Sequence, residues 1–293
     1  MRPAIAAMLL VLLGACAPGA AVLSPPSFTL DASKSGFVSI DPPGVGDGTA
    51  LFRLALTVTN PNPVGVRLSG LDGALFLREA RAASTSFRGG IDLPANKSAP
   101  LILDVRVPLG AAPALLDTIA NFVAGGATPY RFDAGVTIDV FGAPQRFPTF
   151  TIVRGELAPP GGLPAPRLTL LGSQLRFESV NSVVIELNAE LANPGLIGYQ
   201  AQVPELVLSV GGAQAATASL PKVAVPSGGV APVTLTFRFD PLSLGTAIAA
   251  QVQAASAGVG GLSVQLNGGW RLEAPGIVTT SLEPTSLLRD VLR

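Results

Sequence analysis

The chain has 293 residues, 48% of them hydrophobic and only 13% charged, with 33 glycines and 27 prolines. It is too apolar for a disordered protein and too rich in helix breakers for a helical one. Its 19 acidic and 19 basic residues balance, so bulk electrostatics favour no nucleic-acid partner.

In chain order, Met1-Arg2 gives a short basic start, Ala4 to Leu13 is an apolar run, and Leu13-Gly14-Ala15-Cys16 closes it. The run is too short to span a bilayer and has the length of a signal-peptide core. The last four residues resemble the bacterial lipobox. That resemblance implies a signal peptide over 1–15, removed before Cys16, and acyl chains on the cysteine. Several acyl chains exceed the two signals that stable anchoring takes. The expected location is therefore the cell envelope, with the membrane as partner through this anchor. Ala17 stands where inner-membrane retention would want Asp, which points to the outer membrane. The alternative is an ordinary secretory signal, with Cys16 discarded. Residues 16–27 read as a small-residue tether.

Beyond the tether the residues alternate. Phe52, Leu54, Leu56 and Val58 share one strand face, and Leu51, Arg53, Ala55 and Thr57 the other. Such period-two patterning suits an antiparallel sheet with one buried side. Gly44 to Gly48 reads as a hairpin turn between two such strands. Asn60-Pro61-Asn62-Pro63 then stops a strand abruptly: proline cannot donate to a ladder, while asparagine bonds nearby backbone and tolerates left-handed dihedrals. One segment keeps a helical rhythm instead, with Leu115, Leu116, Ile119, Phe122 and Val123 on one stripe before Gly125-Gly126.

The order then repeats. Asn193-Pro194 follows Asn60-Pro61 by 133 positions, Leu93 to Val107 pairs with Val225 to Phe239, and Tyr130 onward pairs with Val264 onward. Offsets that drift by single residues while order is kept indicate a duplicated unit with loop insertions. In the second copy Ile185, Leu187, Ala189 and Leu191 form the apolar face, against Glu186, Asn188 and Glu190. A helix from Ser243 onward is interrupted by Gly245. The reading is mainly β: two tandem immunoglobulin- or fibronectin III-like antiparallel sandwiches over 28–157 and 167–284, each with one crossover helix. A Pro/Gly linker over 158–166 joins them, and 285–293 is a C-terminal tail.

The stretch "ALTVTNPNPVGVRLSGLDGALFL" resembles the type 2 late embryogenesis abundant (LEA type 2) proteins and the WHy domain of water stress and hypersensitive response. The second copy keeps Asn193-Pro194 but has Gly195 for the second asparagine, and resembles a diverged repeat. What the resemblance implies is an ordered, non-catalytic domain associated with desiccation or other stress, in which Asn60, Pro61, Asn62, Asn193 and Pro194 are structural. With no histidine, a Ser-His-Asp triad and a typical zinc site are excluded. Asp133, Asp139, Glu186 and Glu190 sit at alternating strand positions and read as a solvated sheet face. No glycine-rich phosphate loop is present, and no cofactor is expected. The alternative to a protective role is a lipid- or protein-binding envelope module that uses an apolar groove or a sheet edge. Phe147 to Val153 and the helix are the candidate groove walls. Envelope proteins and lipid are the partners these readings imply. Composition does not set the oligomeric state.

Overall fold

The computed structural model describes residues 23–110, 113–179 and 181–292. The lipobox, Leu13 to Cys16, lies outside them. In the first half, β1 (Ser27–Leu30), β2 (Gly36–Asp41), β3 (Thr49–Thr59), β4 (Val66–Leu77), β5 (Ala80–Phe87), β6 (Ile91–Leu93) and β7 (Ser98–Pro108) precede the helix α1 (Pro113–Val123), and β8 (Thr128–Val140) and β9 (Ala143–Leu157) follow it. β3 lies between β7 on one side and β1 and β2 on the other, in one sheet. The second sheet runs from β5 and β6 through β4 and β8 to β9. All these pairs are antiparallel. Because β1 and β2 share one edge, and β5 and β6 another, the half has seven strand positions.

The second half holds β10 (Arg167–Ser179), β11 (Ser182–Ala192), β12 (Tyr199–Val210), β13 (Ala213–Val225), β14 (Val230–Phe239), α2 (Thr246–Ser256), β15 (Leu262–Gly268), β16 (Arg271–Ala274), β17 (Val278–Ser281) and β18 (Thr285–Leu292). One sheet orders β10, β11, β14. The other orders β13, β12, then β15 and β16, then β18 and β17. Position by position this is the strand order of the first half, including the helix between the third strand of the small sheet and the third position of the large one.

Two cores fill the halves. In the first, Phe52, Leu54 and Val105 from the small sheet meet Leu71, Leu75 and Phe132 from the large one, all fully buried. In the second, Ile185, Leu187 and Phe237 meet Val203, Leu208 and Leu272. The two strand faces expected from alternation are the faces observed: Phe52, Leu54, Leu56 and Val58 point inward, and Thr57 is exposed. Burying an aliphatic or aromatic side chain in such a layer contributes about 1.5–3 kcal/mol. The α1 stripe closes one end of the first core, with Leu115, Ile119, Phe122 and Val123 buried.

Three expectations need correction. Residues 285–293 are not a tail: through Leu292 they form β18, which pairs along β15 from Leu262 to Gly268 and buries Leu292. The tether is not free as far as residue 27, since Ser27 opens β1 opposite Thr59 and Ser24 is already held by Asn62. Gly245 does not interrupt a helix. It precedes α2 with φ 99°, a left-handed angle that a side chain resists, and so marks the helix start.

Candidate functional site

The Asn-Pro corner is built by the end of β3, where Pro61 and Pro63 withdraw the chain from the ladder. Asn60 is fully buried there. Its side-chain amide donates to Val64 O at 2.8 Å, Leu93 O at 3.0 Å and Pro94 O at 3.2 Å, so two amide protons are shared among three carbonyls from two loops. Its Oδ1 accepts from Asn62 N at 3.0 Å and from Asn62 Nδ2 at 2.9 Å. Asn62 in turn clasps the entering chain: Ser24 N donates to Asn62 Oδ1 at 2.8 Å, and Asn62 Nδ2 donates to Ser24 O at 3.0 Å.

Asn193 repeats the first of these arrangements. Its amide donates to Ile197 O at 2.8 Å, Pro226 O at 3.1 Å and Val225 O at 3.4 Å, and its Oδ1 accepts from Gly195 N at 2.9 Å. The second asparagine is absent for a steric reason. A Cβ at Gly195 would lie 2.6 Å from Pro164 Cγ. The linker proline occupies the space that an Asn side chain would need.

The corner of the second half abuts the opposite end of the first. Ile40 N donates to Leu196 O and Gly198 N to Ile40 O, both at 2.7 Å, so Leu196 to Gly198 extends the edge of β2 in parallel. The Asp41 carboxylate accepts from Ser227 N at 2.7 Å and Ser227 Oγ at 3.0 Å. Gly198 is required by this approach. A Cβ there would press on Asp41 and stand 2.9 Å from Val45 Cγ1. Ala274 joins the first core, and Ile277 and Val278 pack against it. The turn at Gly44 to Gly48, legible as a hairpin, thus also meets the second half, with Gln200 Nε2 donating to Gly44 O at 3.3 Å.

Beside this junction is a cavity of about 300 Å³, walled by Phe37, Phe122, Tyr130, Leu157 and, from the second half, Leu196. Phe37 meets Phe52 edge-on with ring centroids 5.2 Å apart and Phe122 at 5.4 Å, while Phe52 meets Tyr130 at 5.3 Å. Burial raises the Tyr130 phenol above its ordinary range. The helix is a wall, as expected, but Phe147 to Val153 is not. Those residues lie further along β9, with Phe150 tilted toward Phe28 and Ile152 and Val153 in the core.

The candidate carboxylates are not brought together. Asp133 accepts from Arg131 Nε at 3.0 Å and Thr151 Oγ1 at 2.8 Å, and Asp139 accepts from Gly142 N at 2.7 Å in the β8–β9 turn. Six residues apart on β8, they are separated by about 20 Å, and Glu186 and Glu190 on β11 by about 13 Å, at the usual rise of a strand. Paired-carboxylate hydrolysis uses about 5–9.5 Å. Among the described residues no three His, Cys, Asp or Glu gather as a metal site, and no helix is long and apolar enough to cross a membrane.

Among solved structures, a protein from Archaeoglobus fulgidus is similar at 14% identity and a TM-score of 0.30, covering 46% of this chain and 96% of its own. Red sea bream transglutaminase is similar at 13% identity and 0.24, covering 85% of this chain, which spans only 31% of the transglutaminase. The Salmonella enterica SafA pilin in complex with the SafB chaperone stands at 13% and 0.21, covering 90% of this chain and 96% of its own. Such scores do not establish a common fold. No curated protein matches. Residues 55–148, which include the Asn60 corner and α1, match the family model described as Late embryogenesis abundant protein.

Proposed function

We propose that the protein is a non-catalytic, stress-protective module of the cell envelope, made of two tandem LEA type 2/WHy units and held at a bacterial membrane, the outer one, by acyl chains on Cys16. The observation that carries this reading is the buried corner of Asn60, within the family-matched span, and its recurrence almost bond for bond at Asn193. Rigid sandwiches with apolar cores and polar outer faces suit a role in shielding other envelope proteins as water is withdrawn. Drying a labile enzyme with the purified protein tests it: more activity should return on rehydration than with an equal mass of albumin, and parity would sink the protective role. The anchor has its own test. Cys16→Ser should move the protein from the membrane fraction to the soluble one, and unchanged partition would remove the anchor.

The second reading, a lipid- or protein-binding module, draws on the cavity walled by Phe37, Phe122, Tyr130 and Leu157. Its size accommodates part of one acyl chain rather than a whole lipid. Native mass spectrometry of protein extracted from its own membrane separates the readings, because a carrier retains lipid and a protectant does not.

A further inference from the structure

The two halves meet through a defined pair of surfaces, and each surface recurs uncovered at an opposite end of the molecule. At the junction, the Asn193 end of the second half receives Ile40 and Asp41 and lays its β16–β17 turn on α1, where Leu116 Cδ1 is 3.6 Å from the Cβ position of Gly276. The matching end of the first half has the same parts. Gly65 corresponds to Gly198, Ala95 to Ser227, and Phe141-Gly142 to the turn at Pro275-Gly276. At the other end of the chain, Phe177 pairs with Val183 as Ile40 pairs with Ala50, Glu178 follows it as Asp41 follows Ile40, and Ala249 of α2 stands where Leu116 stands in α1.

We propose that copies of the chain join end to end, the Asn60 end of one copy receiving the Phe177–Glu178 end of the next. The proposal rests on the reading that the second half repeats the first. Four observations support it. Gly65 is a glycine without a local need: a Cβ there would find nothing closer than 3.9 Å, whereas Gly198 is crowded by its partner. Among the described residues, Pro63 O, Gly65 N and Ala95 N have no backbone partner, while their counterparts Leu196 O, Gly198 N and Ser227 N bond Ile40 and Asp41.

Exposed apolar side chains also gather at these two ends. Phe141 is 91% exposed at a left-handed φ of 53°, where Asn or Gly would make the same two-residue turn without strain. At the opposite end Phe177, Leu242, Val259 and Val291 are all exposed. The sizes compensate as well. Within the chain Leu116 meets Gly276, and between chains their counterparts, Ala249 and Gly142, are both small and leave room that the neighbouring Phe141 would fill.

A contact between two different surfaces is heterologous and propagates as a filament unless the rotation closes it. The anchor permits this. From Cys16 to Ser24 the chain reaches at most about 28 Å, enough to leave a junction sideways, so the assembly would lie along the membrane.

Cysteine pairs in native membranes test the contact. Phe141→Cys and Ala249→Cys lie at opposite ends of one chain, too far apart to bridge within it, so oxidation of the double variant should give a ladder of multimers on a non-reducing gel. Asp41→Cys with Ser227→Cys should bridge within one chain, which checks the junction that serves as template. Adding Gly65→Gln to the 141/249 pair should abolish the ladder while the 41/227 bridge still forms. Repeating the set with Cys16→Ser removes the native thiol, and the ladder should persist in whichever fraction the protein occupies. No ladder with the 41/227 bridge intact overturns the proposal alone, as does a dimer of equal yield from Phe141→Cys by itself. Absence of the 41/227 bridge removes the junction that serves as template, and the proposal with it.

Discussion

Asn60 holds two loops to one strand end, and the physical reason for an amide is its pairing of donors and an acceptor at a site where water does not reach. Removing it would leave Leu93 O and Asn62 N buried without this partner, each at about 1–3 kcal/mol, and the half-buried Val64 O without it as well. We expect Asn60→Ala to cost about 3 kcal/mol or more in urea unfolding, and Asn60→Asp, which turns an acceptor toward those carbonyls, to cost at least as much. The tyrosines give a second prediction at this scale. Burial raises both phenols, and Tyr199, fully buried with its hydroxyl unpartnered among the described residues, is raised the more. A group with a raised folded pKa favours folding below its unfolded value and loses that contribution above it. Absorbance at 295 nm should therefore stay flat through pH 10, the ordinary phenol value, and rise only together with loss of the β-sheet signal. A reversible titration near pH 10 in folded protein would contradict the burial. That the corner is structural was legible from Asn-Pro at a strand end. Its partners Leu93, Pro94 and Ser24 were not, because they lie 33 to 38 residues away.

Strands were legible wherever one face is wet, since period-two alternation records that asymmetry directly, as in β3, β7, β11 and β14. β18 was not. In Thr285 to Leu292 the apolar pair Leu287-Leu288 sits at a register shift against Leu266 and Asn267, which breaks the alternation that would have marked a strand. Its contribution can be measured. Ending the chain after Pro284 would strip β15 of its outer neighbour, unpair that edge, and expose Leu262 and Leu266. Trp270, the single tryptophan, is buried in the second core and reports on it. We expect the shortened chain to show red-shifted tryptophan emission in buffer and no cooperative urea transition by that probe. A midpoint unchanged from the full chain would make β18 an ornament. Helix α1 was placed correctly from its stripe, whereas Gly245 misled because glycine reads alike as an interruption and as a start.

At the scale of the molecule, the common strand order of the two halves was visible in the order of motifs, but how the halves meet was not. Asp41 and Ser227 are 186 residues apart, and nothing in either neighbourhood marks them as partners. Their bonds give a handle on whether the halves unfold together. Asp41 accepts two bonds from Ser227 beside an apolar seam that includes Ala274 and Ile277 against the first core. If the seam couples the cores, Trp270 fluorescence, which sees only the second, and far-ultraviolet dichroism, which sees both, should give one coincident urea transition. Asp41→Ala leaves Ser227 N without its acceptor and should weaken the coupling by about 1–3 kcal/mol. The two probes should then separate, with the tryptophan transition shifted to lower urea. Asp41→Asn keeps an oxygen acceptor and should restore most of the coincidence, which distinguishes loss of the bond from loss of charge.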